Sequence, residues 1–327
     1  MTRIAVIGAG LSGLVVARRL QSVADVTVFE KSRAAGGRMA TRYAGHYEFD
    51  HGAQFFTART KSFRAFLQPL IDARAVADWQ AEFAQFDGCE MKDLRPWGGD
   101  HAHYVGAPRM NDIGKILSPG LNIALETTIA SIARQDDGWR LTDSAGARSG
   151  PFDWLVLTAP APQTAALARD FPELVDYSRQ RRMLGCFALM LGFAEPVELP
   201  WQAAIVRNTD ISWMSVNSSK PGRKPPFTLV VHSTNAWADA HMDDDDERVL
   251  GHMLDQASMV TGKDLHNADH RQVHRWRYAN SDKQSEPSFF INEADRLAAC
   301  GDWCVRGRIE AAFTSADNLA ESLAGRL

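Results

Sequence analysis

Residues 3–7 (RIAVI) run straight into Gly8-Ala9-Gly10-Leu11-Ser12-Gly13 and then an apolar stretch from Leu14 to Leu20. A second β-branched run, Val26-Thr27-Val28-Phe29, ends on Glu30. Nothing else in the chain limits its fold so narrowly. A short β-branched apolar run is the signature of a parallel strand buried on both faces. The order therefore predicts strand, tight turn, helix and strand, the βαβ setting in which a G-x-G-x-x-G match carries weight. Gly8 permits the turn, Gly10 lets the backbone approach a pyrophosphate, and Gly13 lets the helix pack close to the strand. The first helical residues, Leu11, Ser12 and Gly13, offer unpaired N–H donors to phosphate. Glu30, followed by Lys31, stands at the end of the second strand, where a carboxylate accepts from both ribose hydroxyls. The chain opens with a dinucleotide-binding Rossmann unit.

Length and composition bound the rest. At roughly 150 residues per domain, 327 residues suggest about two domains. Hydrophobic residues at 45% and charged residues at 23% are ordinary for a globular chain and argue against disorder. Lys plus Arg total 36 against 40 Asp plus Glu, a formal charge of -4. Without a basic excess, neither a nucleic acid nor an anionic membrane is the expected partner, and an anionic ligand needs a local basic cluster. No apolar run reaches the ~18 residues of a transmembrane helix. The stretch after Arg3 could pass for a secretory signal, but three glycines interrupt it and Arg18-Arg19 follow where a small-residue cleavage site should lie. Cys89, Cys186, Cys300 and Cys304 are too few for a disulfide scaffold, and free thiols suit a reducing cytoplasm. A cytoplasmic protein is expected, with its oligomeric state left open.

Three clusters invite a metal reading, and none sustains it. Asp243 to Asp246 and Glu247 precede the apolar-periodic stretch Val249 to Met259, so these acids read as a helix start that complements the dipole. His266, His270 and His274 are spaced by four, which on one helix would align three imidazoles, but Val273 to Tyr278 (VHRWRY) reads as a strand. Cys300 and Cys304 lack a second pair for zinc. No metal is expected.

Gly36-Gly37-Arg38-Met39-Ala40-Thr41-Arg42 follows Glu30, and Phe49-Asp50-His51-Gly52-Ala53-Gln54-Phe55-Phe56 comes soon after. This resembles the second glycine motif of FAD-dependent amine-oxidase-type flavoproteins. The resemblance implies FAD as the dinucleotide, with Gly37 and Arg38 over the diphosphate, Arg42 in support, and Gln54, Phe55 and Phe56 against the cofactor. Near the C-terminus, Leu297 to Cys300 leads into Gly301-Asp302, and a helical stretch begins after Gly307, with Arg308 and Ile309 at its start. In the same flavoproteins the Asp binds the ribityl chain and the following helix N-terminus faces the flavin pyrimidine. Reduction places negative charge at flavin N1/O2, which a helix N-terminus stabilises. Residues 127–132, 138–142 and 152–160 resemble the strand pair and returning strand of that domain, with backbone near Ile129 touching adenine. The implied fold is α/β: a Rossmann-type FAD domain with a parallel sheet plus a second, α+β substrate domain, arranged as in p-hydroxybenzoate hydroxylase or the amine oxidases. The FAD domain is expected over 1–56, 101–160 and 286–327, and the substrate domain over 57–100 and 161–285. Some amine oxidases tether their flavin through a C-terminal cysteine. The residues around Cys304 do not match, which implies a packed thiol and noncovalent FAD.

Within the second domain, 183–193, 211–216 and 227–232 read as strands and 218–226 (SSKPGRKPP) as an exposed turn. No second G-x-G-x-x-G occurs, which excludes a pyridine nucleotide-disulfide reductase. Leu184-Gly185-Cys186-Phe187 looks like the strand where amine oxidases carry a lysine beside flavin N5. Gly185 stands there instead and would leave room above the ring. No aromatic cage for a neutral amine is evident. Thr57-Ala58-Arg59-Thr60-Lys61, with Arg64 beyond, alternates hydroxyls and cations, and Arg95-Pro96-Trp97-Gly98 offers an indole platform. Arg306 and Arg308 flank the late helix start. Each alone reads as an ordinary surface charge or core indole. Together they suit a nucleotide substrate, phosphate on hydroxyls and arginines and a planar ring on the aromatics.

The pattern from GAGLSGL through GGRMATR, DHGAQFFTAR and ACGDW to RIEAAFTSA resembles the renalase family and its bacterial members over nearly the full length. The resemblance implies oxidation of the 2-dihydro and 6-dihydro isomers of β-NAD(P) to β-NAD(P)+, with dioxygen reoxidising the flavin to give hydrogen peroxide. The dihydropyridine loses a hydride and becomes an aromatic cation without losing a proton, so no catalytic side-chain base is required and the protein's part is orientation and electrostatics. The alternatives are an FAD oxidase of amines or other small molecules, and a non-catalytic flavin-binding redox sensor.

Overall fold

The computed structural model describes residues 1–99, 101–284 and 287–327. The chain forms two compact units: Met1–Met39, Gly114–Met183 and Asn280–Leu327 build the first, Ala40–Ile113 and Leu184–Ala279 the second.

In the first unit the apolar run Arg3–Ile7 becomes a central strand. It pairs in parallel with Asp25–Phe29 on one side and Trp154–Leu157 on the other. Asn122–Ala124 and Leu297–Ala299 extend the parallel sheet, and Phe290–Asn292 closes one edge antiparallel. Helix Leu11–Leu20 follows the glycine turn and ends on Arg18 and Arg19, charges that suit its C-terminal dipole. Gly13 is required there, because a Cβ would collide with the Gly8 carbonyl. Helix Ile309–Ala324 packs on helix Leu11–Leu20, with the Ser12 hydroxyl donating to the Ala312 carbonyl at 2.9 Å. A three-stranded antiparallel sheet, Ile129–Gln135, Gly138–Asp143 and Arg148–Phe152, shares the core through Ile132, Trp139 and Phe152.

The second unit is built on a seven-stranded sheet in the order His270–Ser281, Met183–Phe193, Phe227–Ser233, Ile211–Val216, Ala203–Arg207, Glu82–Asp87, Glu90–Pro96. Alternation along the strands separates two faces. Leu189, Leu191, Leu229, Val231, Met214, Val216, Ala84 and Phe86 pack against Val249, Met253, Leu254 and Ala257 of helix Asp246–Thr261. The intervening Trp213, Ser215, His232 and Phe83 belong to the opposite face. The acidic run is a helix start, as expected: Asp245 caps the helix by accepting from the Arg248 N–H at 2.9 Å.

The division of the chain departs from the expected boundaries. Residues 40–56 and 101–113 belong to the second unit, and 161–183 and 280–284 to the first. Hairpin Thr41–Ala44/Tyr47–Asp50 lies in the second unit because Phe49 stacks on His270 at 5.3 Å and Asp50 is hydrogen-bonded by Arg223. Met110 joins it there, its N–H donating to Asp50 at 3.0 Å. Helices Ala161–Leu167 and Pro172–Arg179 lie in the first because Ala161, Ala168 and Leu174 complete its core and Phe171 packs on Trp139. The boundaries expected at 100 and at 285/286 fall on residues outside those described. Segment 218–226 is not an exposed turn throughout: Lys220 is 2% exposed and Arg223 points inward to Asp50. His270 and His274 lie on a strand, and among the described residues no group of His, Cys, Asp or Glu is arranged to hold a metal. Among them, no helix is long and apolar enough to cross a membrane.

Candidate functional site

The first unit carries the predicted phosphate cradle. Gly8 has φ +107°, open to glycine alone at low cost, and the Thr158 hydroxyl donates to its carbonyl at 2.9 Å. Where a side chain on Gly10 would stand there is open space. Gly10 is also the N-cap of helix Leu11–Leu20, and no side chain caps the helix, so the N–H groups of Leu11, Ser12 and Gly13 face an uncapped end. Gly36 N–H donates to Ala9 O at 2.8 Å, which brings the Gly36-Gly37 segment against the turn. Glu30 is buried, and its carboxylate accepts from the Ala9 N–H at 2.7 Å and the Ser32 N–H at 2.8 Å. Lys31 is exposed beside it, and Ile129 is half-buried at the start of its strand. Arg38 reaches Asp302 in a two-point ion pair. Gly301 N–H donates to the Ser315 hydroxyl at 3.0 Å, fixing the approach to Asp302. Arg308 is the exposed N-cap of the last helix and contributes no side-chain cap, and Ile309 is its first residue.

Gln54, Phe55 and Phe56 belong to the second unit. The Gln54 amide is fully used there. Its NH2 donates to Asp50 O at 2.5 Å and Gly52 O at 3.1 Å, and its Oε1 accepts from Ser215 at 2.8 Å and Lys220 at 3.2 Å. No side-chain group of Gln54 is left for a cofactor. Phe56 exchanges backbone hydrogen bonds with Tyr104, both at 2.8 Å. Between them, the Phe55 ring meets Trp97 at 4.6 Å, Trp213 at 5.2 Å and His103 at 5.6 Å. Ala58 is buried, Thr57 half-buried, and Arg59, Thr60 and Lys61 exposed. Thr60 caps helix Lys61–Asp72, accepting from Phe63 N–H at 3.3 Å, and Arg64 donates to the Arg59 carbonyl. Pro96 and Gly98 are exposed on either side of Trp97.

Two expectations are corrected. Trp97 is no open platform: His103 stacks on it at 3.9 Å and 19°, and Phe83 at 5.0 Å and 15°. It is one wall of an aromatic cluster with Phe55, Trp79, Phe83, His103 and Trp213. Gly185 leaves no room, because a Cβ there would run into Met242 and Asp239. The glycine is explained by helix Asn235–Ala240 lying close to its strand, with Gly185 N–H donating to Asp239 at 2.7 Å.

Sequence reasoning missed a group of neutral imidazoles. His51 lies 4.7 Å from His274 and 5.2 Å from Trp276, and Arg42 approaches His274 Nδ1 at 3.4 Å. Burial, with His274 and Arg42 nearby, pushes His51 down to about 3. Burial and Arg42 lower His274 to about 4, and burial lowers His232 to about 4. Burial also depresses His103. The pattern H-x3-H-x-W over 270–276 was visible in sequence, but the strand pairing that turns it toward His51 was not.

Residues 6–70 match a family model described as NAD(P)-binding Rossmann-like domain. Residues 110–323, about two thirds of the chain, match the one described as flavin containing amine oxidoreductase. The chain belongs to that family. As a flavin containing amine oxidoreductase it is a flavoprotein of the amine-oxidase type, and it is renalase-like: it is 23% identical to renalase of Mus musculus over 303 residues, 85% of each chain. Its fold is shared by a protein described as a protoporphyrinogen oxidase from Exiguobacterium sp. 255-15, at 14% identity and a TM-score of 0.74, covering 100% of this chain and 99% of the other. A triple mutant of putrescine oxidase matches at 11% identity and a TM-score of 0.75, again over 100% and 99%. The Rossmann-type parallel sheet and the amine-oxidase-like architecture expected from sequence are those observed.

Proposed function

We propose that this oxidoreductase oxidises 2-dihydro and 6-dihydro isomers of β-NAD(P) to β-NAD(P)+, a repair of misreduced nicotinamide in the cytoplasm, with dioxygen as final acceptor and hydrogen peroxide as product. The observation that carries the reading is the aromatic cluster of Phe55, Trp213 and His103 around the covered Trp97, planar side chains of the kind that pack on a nicotinamide ring. The similarity to mouse renalase over 85% of both chains supports it.

The cofactor is read as FAD, held noncovalently. The uncapped helix start at Leu11–Gly13, the open space over Gly10, and buried Glu30 suit its diphosphate and ribose, and Gly37, Arg38, Ile129, Gly301, Asp302 and Ile309 are assigned to it as well. When bound, the flavin supplies the hydride acceptor. Cys304 is a poor tether, since burial pushes its thiol up to about 12 and keeps it protonated. Side chains then have only to bind and orient, which fits imidazoles held neutral. Arg59 and Lys61, with Thr57, Ala58 and Thr60, are assigned to the substrate's phosphates in the second unit. Arg308 is given the same task in the first.

Anaerobic mixing tests the reading. Isomeric dihydronicotinamide dinucleotides should bleach the flavin rapidly and simple amines should not; faster bleaching by an amine rejects it. Arg59→Ala, Lys61→Ala and Arg308→Ala should raise the half-saturating substrate concentration while keeping the cofactor, because contacts remote from the hydride act mostly as uniform binding.

A further inference from the structure

Asp50 is a wholly buried carboxylate with two cations beside it. The Thr41 hydroxyl donates to its Oδ1 at 2.7 Å and Met110 N–H at 3.0 Å. Arg223 Nη2 donates to Oδ2, and Arg223 Nη1 to the carbonyls of Gly106 and Pro221. One cation balances one carboxylate, and Arg223 supplies it. Lys220 is then surplus to the balance, and burial lowers its ammonium to about 7 although Asp50 opposes the shift. Its side chain is fully buried and its ammonium lies 3.7 Å from Oδ2, beyond hydrogen-bond reach. Instead it donates to Gln54 Oε1 at 3.2 Å, over the Trp79 ring at 5.4 Å. Burying an amine that the ion balance does not need is costly, because it must either be desolvated as a cation or give up its proton. Groups that break a local rule in this way tend to sit where the chain has a task for them.

We propose that Lys220 is a positioning residue, which holds Gln54 and thereby sets Phe55 in the aromatic cluster that receives the substrate ring. The inference rests on the substrate reading above. Gln54 closes the 50–54 segment around its own amide, and Phe56 is fixed by Tyr104 on the other side. Phe55 stands between these two anchors, so the placement of its ring depends on both. Of the two, only the Gln54 anchor ends on a fully buried lysine. Lys220 acts through Gln54, whose Oε1 it holds.

Lys220→Met keeps the length of the side chain and leaves Asp50 and Arg223 as a balanced pair. The flavin-loaded variant should unfold at a urea concentration no lower than the parent. In anaerobic flavin reduction by the dihydronicotinamide isomers, its half-saturating concentration should rise about fivefold or more, the scale of one hydrogen bond lost, with a smaller change in the limiting rate. Gln54→Leu should do the same, and the double variant should be no worse than the worse single one. Saturation like the parent's, additive defects, or a fall in the stability of Lys220→Met would each overturn the proposal, the last by making Lys220 a structural cation. If the isomers do not reduce the parent at all, the substrate reading fails. Positioning is then read from acrylamide quenching of tryptophan emission, which must differ between Lys220→Met and the parent; identical quenching rejects it too.

Discussion

Arg38 and Asp302, 264 residues apart in sequence, meet in a two-point ion pair, Nη1 to Oδ2 at 2.9 Å and Nη2 to Oδ1 at 2.5 Å. Parallel N–H···O bonds of this kind fix orientation as well as distance. The pair joins the glycine segment after the second strand to the Gly-Asp turn before the last helix, so two motifs read separately in sequence are one object in the fold. The Asp302 side chain is 6% exposed and the Arg38 side chain 29%.

Arg38→Ala strands a buried carboxylate. Allowing for solvent at the arginine, the apoprotein should lose about 1–3 kcal/mol. Asp302→Asn in the same chain should cost less than the sum of the two single changes. Urea unfolding of the four proteins measures this coupling, and strict additivity would mean that the pair is energetically idle.

Glu30→Gln replaces an acceptor-only group by one whose NH2 faces the Ala9 or Ser32 N–H. FAD affinity should fall about tenfold or more, on the scale of the ~1.5–3 kcal/mol of a hydrogen bond to a charged group. Titrating FAD into deflavinated protein by fluorescence reads the change directly. A folded variant with parental affinity removes Glu30 from the cofactor site.

Gly185→Ala should destabilise through overpacking, by about 1–3 kcal/mol, because Met242 and Asp239 occupy the space its methyl needs. Met242→Ala in the same chain should restore much of that loss. Thermal unfolding distinguishes this from the substrate role expected in sequence, for which a second change at Met242 would be irrelevant.

Three histidines make the fold acid-labile. His51, His232 and His274 titrate in the folded state at about 3, 4 and 4, below the ordinary value of 6.5. The unfolded chain therefore binds more protons once the pH drops below 6.5. Their contribution is intact above 6.5 and is lost as the pH falls through about 4. Each can steepen the dependence by up to ~1.4 kcal/mol per pH unit. Urea midpoints from pH 7 to 4 should fall steeply, and His274→Phe should flatten the slope. A midpoint constant across that range would show that these imidazoles protonate freely.

What could be read from sequence was local. The glycine turn, the parallel strands at 3–7 and 154–157, the strands at 183–193 and 211–216, and the acidic helix start all follow from spacing within about a dozen residues. What escaped was decided by partners far along the chain. Lys220 and Arg223 sit among prolines and a glycine, which argues for solvent, yet Asp50, 173 residues before Arg223, draws them inward. Phe171 joins the first unit through its indole partner, Trp139, which lies two strands and a helix earlier in the chain. Trp97 showed its aromatic character but not the rings that cover it, and Gly185 showed its missing side chain but not Met242 filling the space.

The hydrogen bond from Ser12 to Ala312 spans 300 residues, and it has a consequence for how the protein is made. A ribosome adding ~5–20 residues per second completes the first strand, turn and helix and then takes roughly 15–60 s to deliver the helix that covers them. All of the second unit emerges in that interval, before the first can close. The nascent chain thus carries an apolar helix face in search of its partner for most of its synthesis, which makes it a natural client for the chaperones that guard such surfaces.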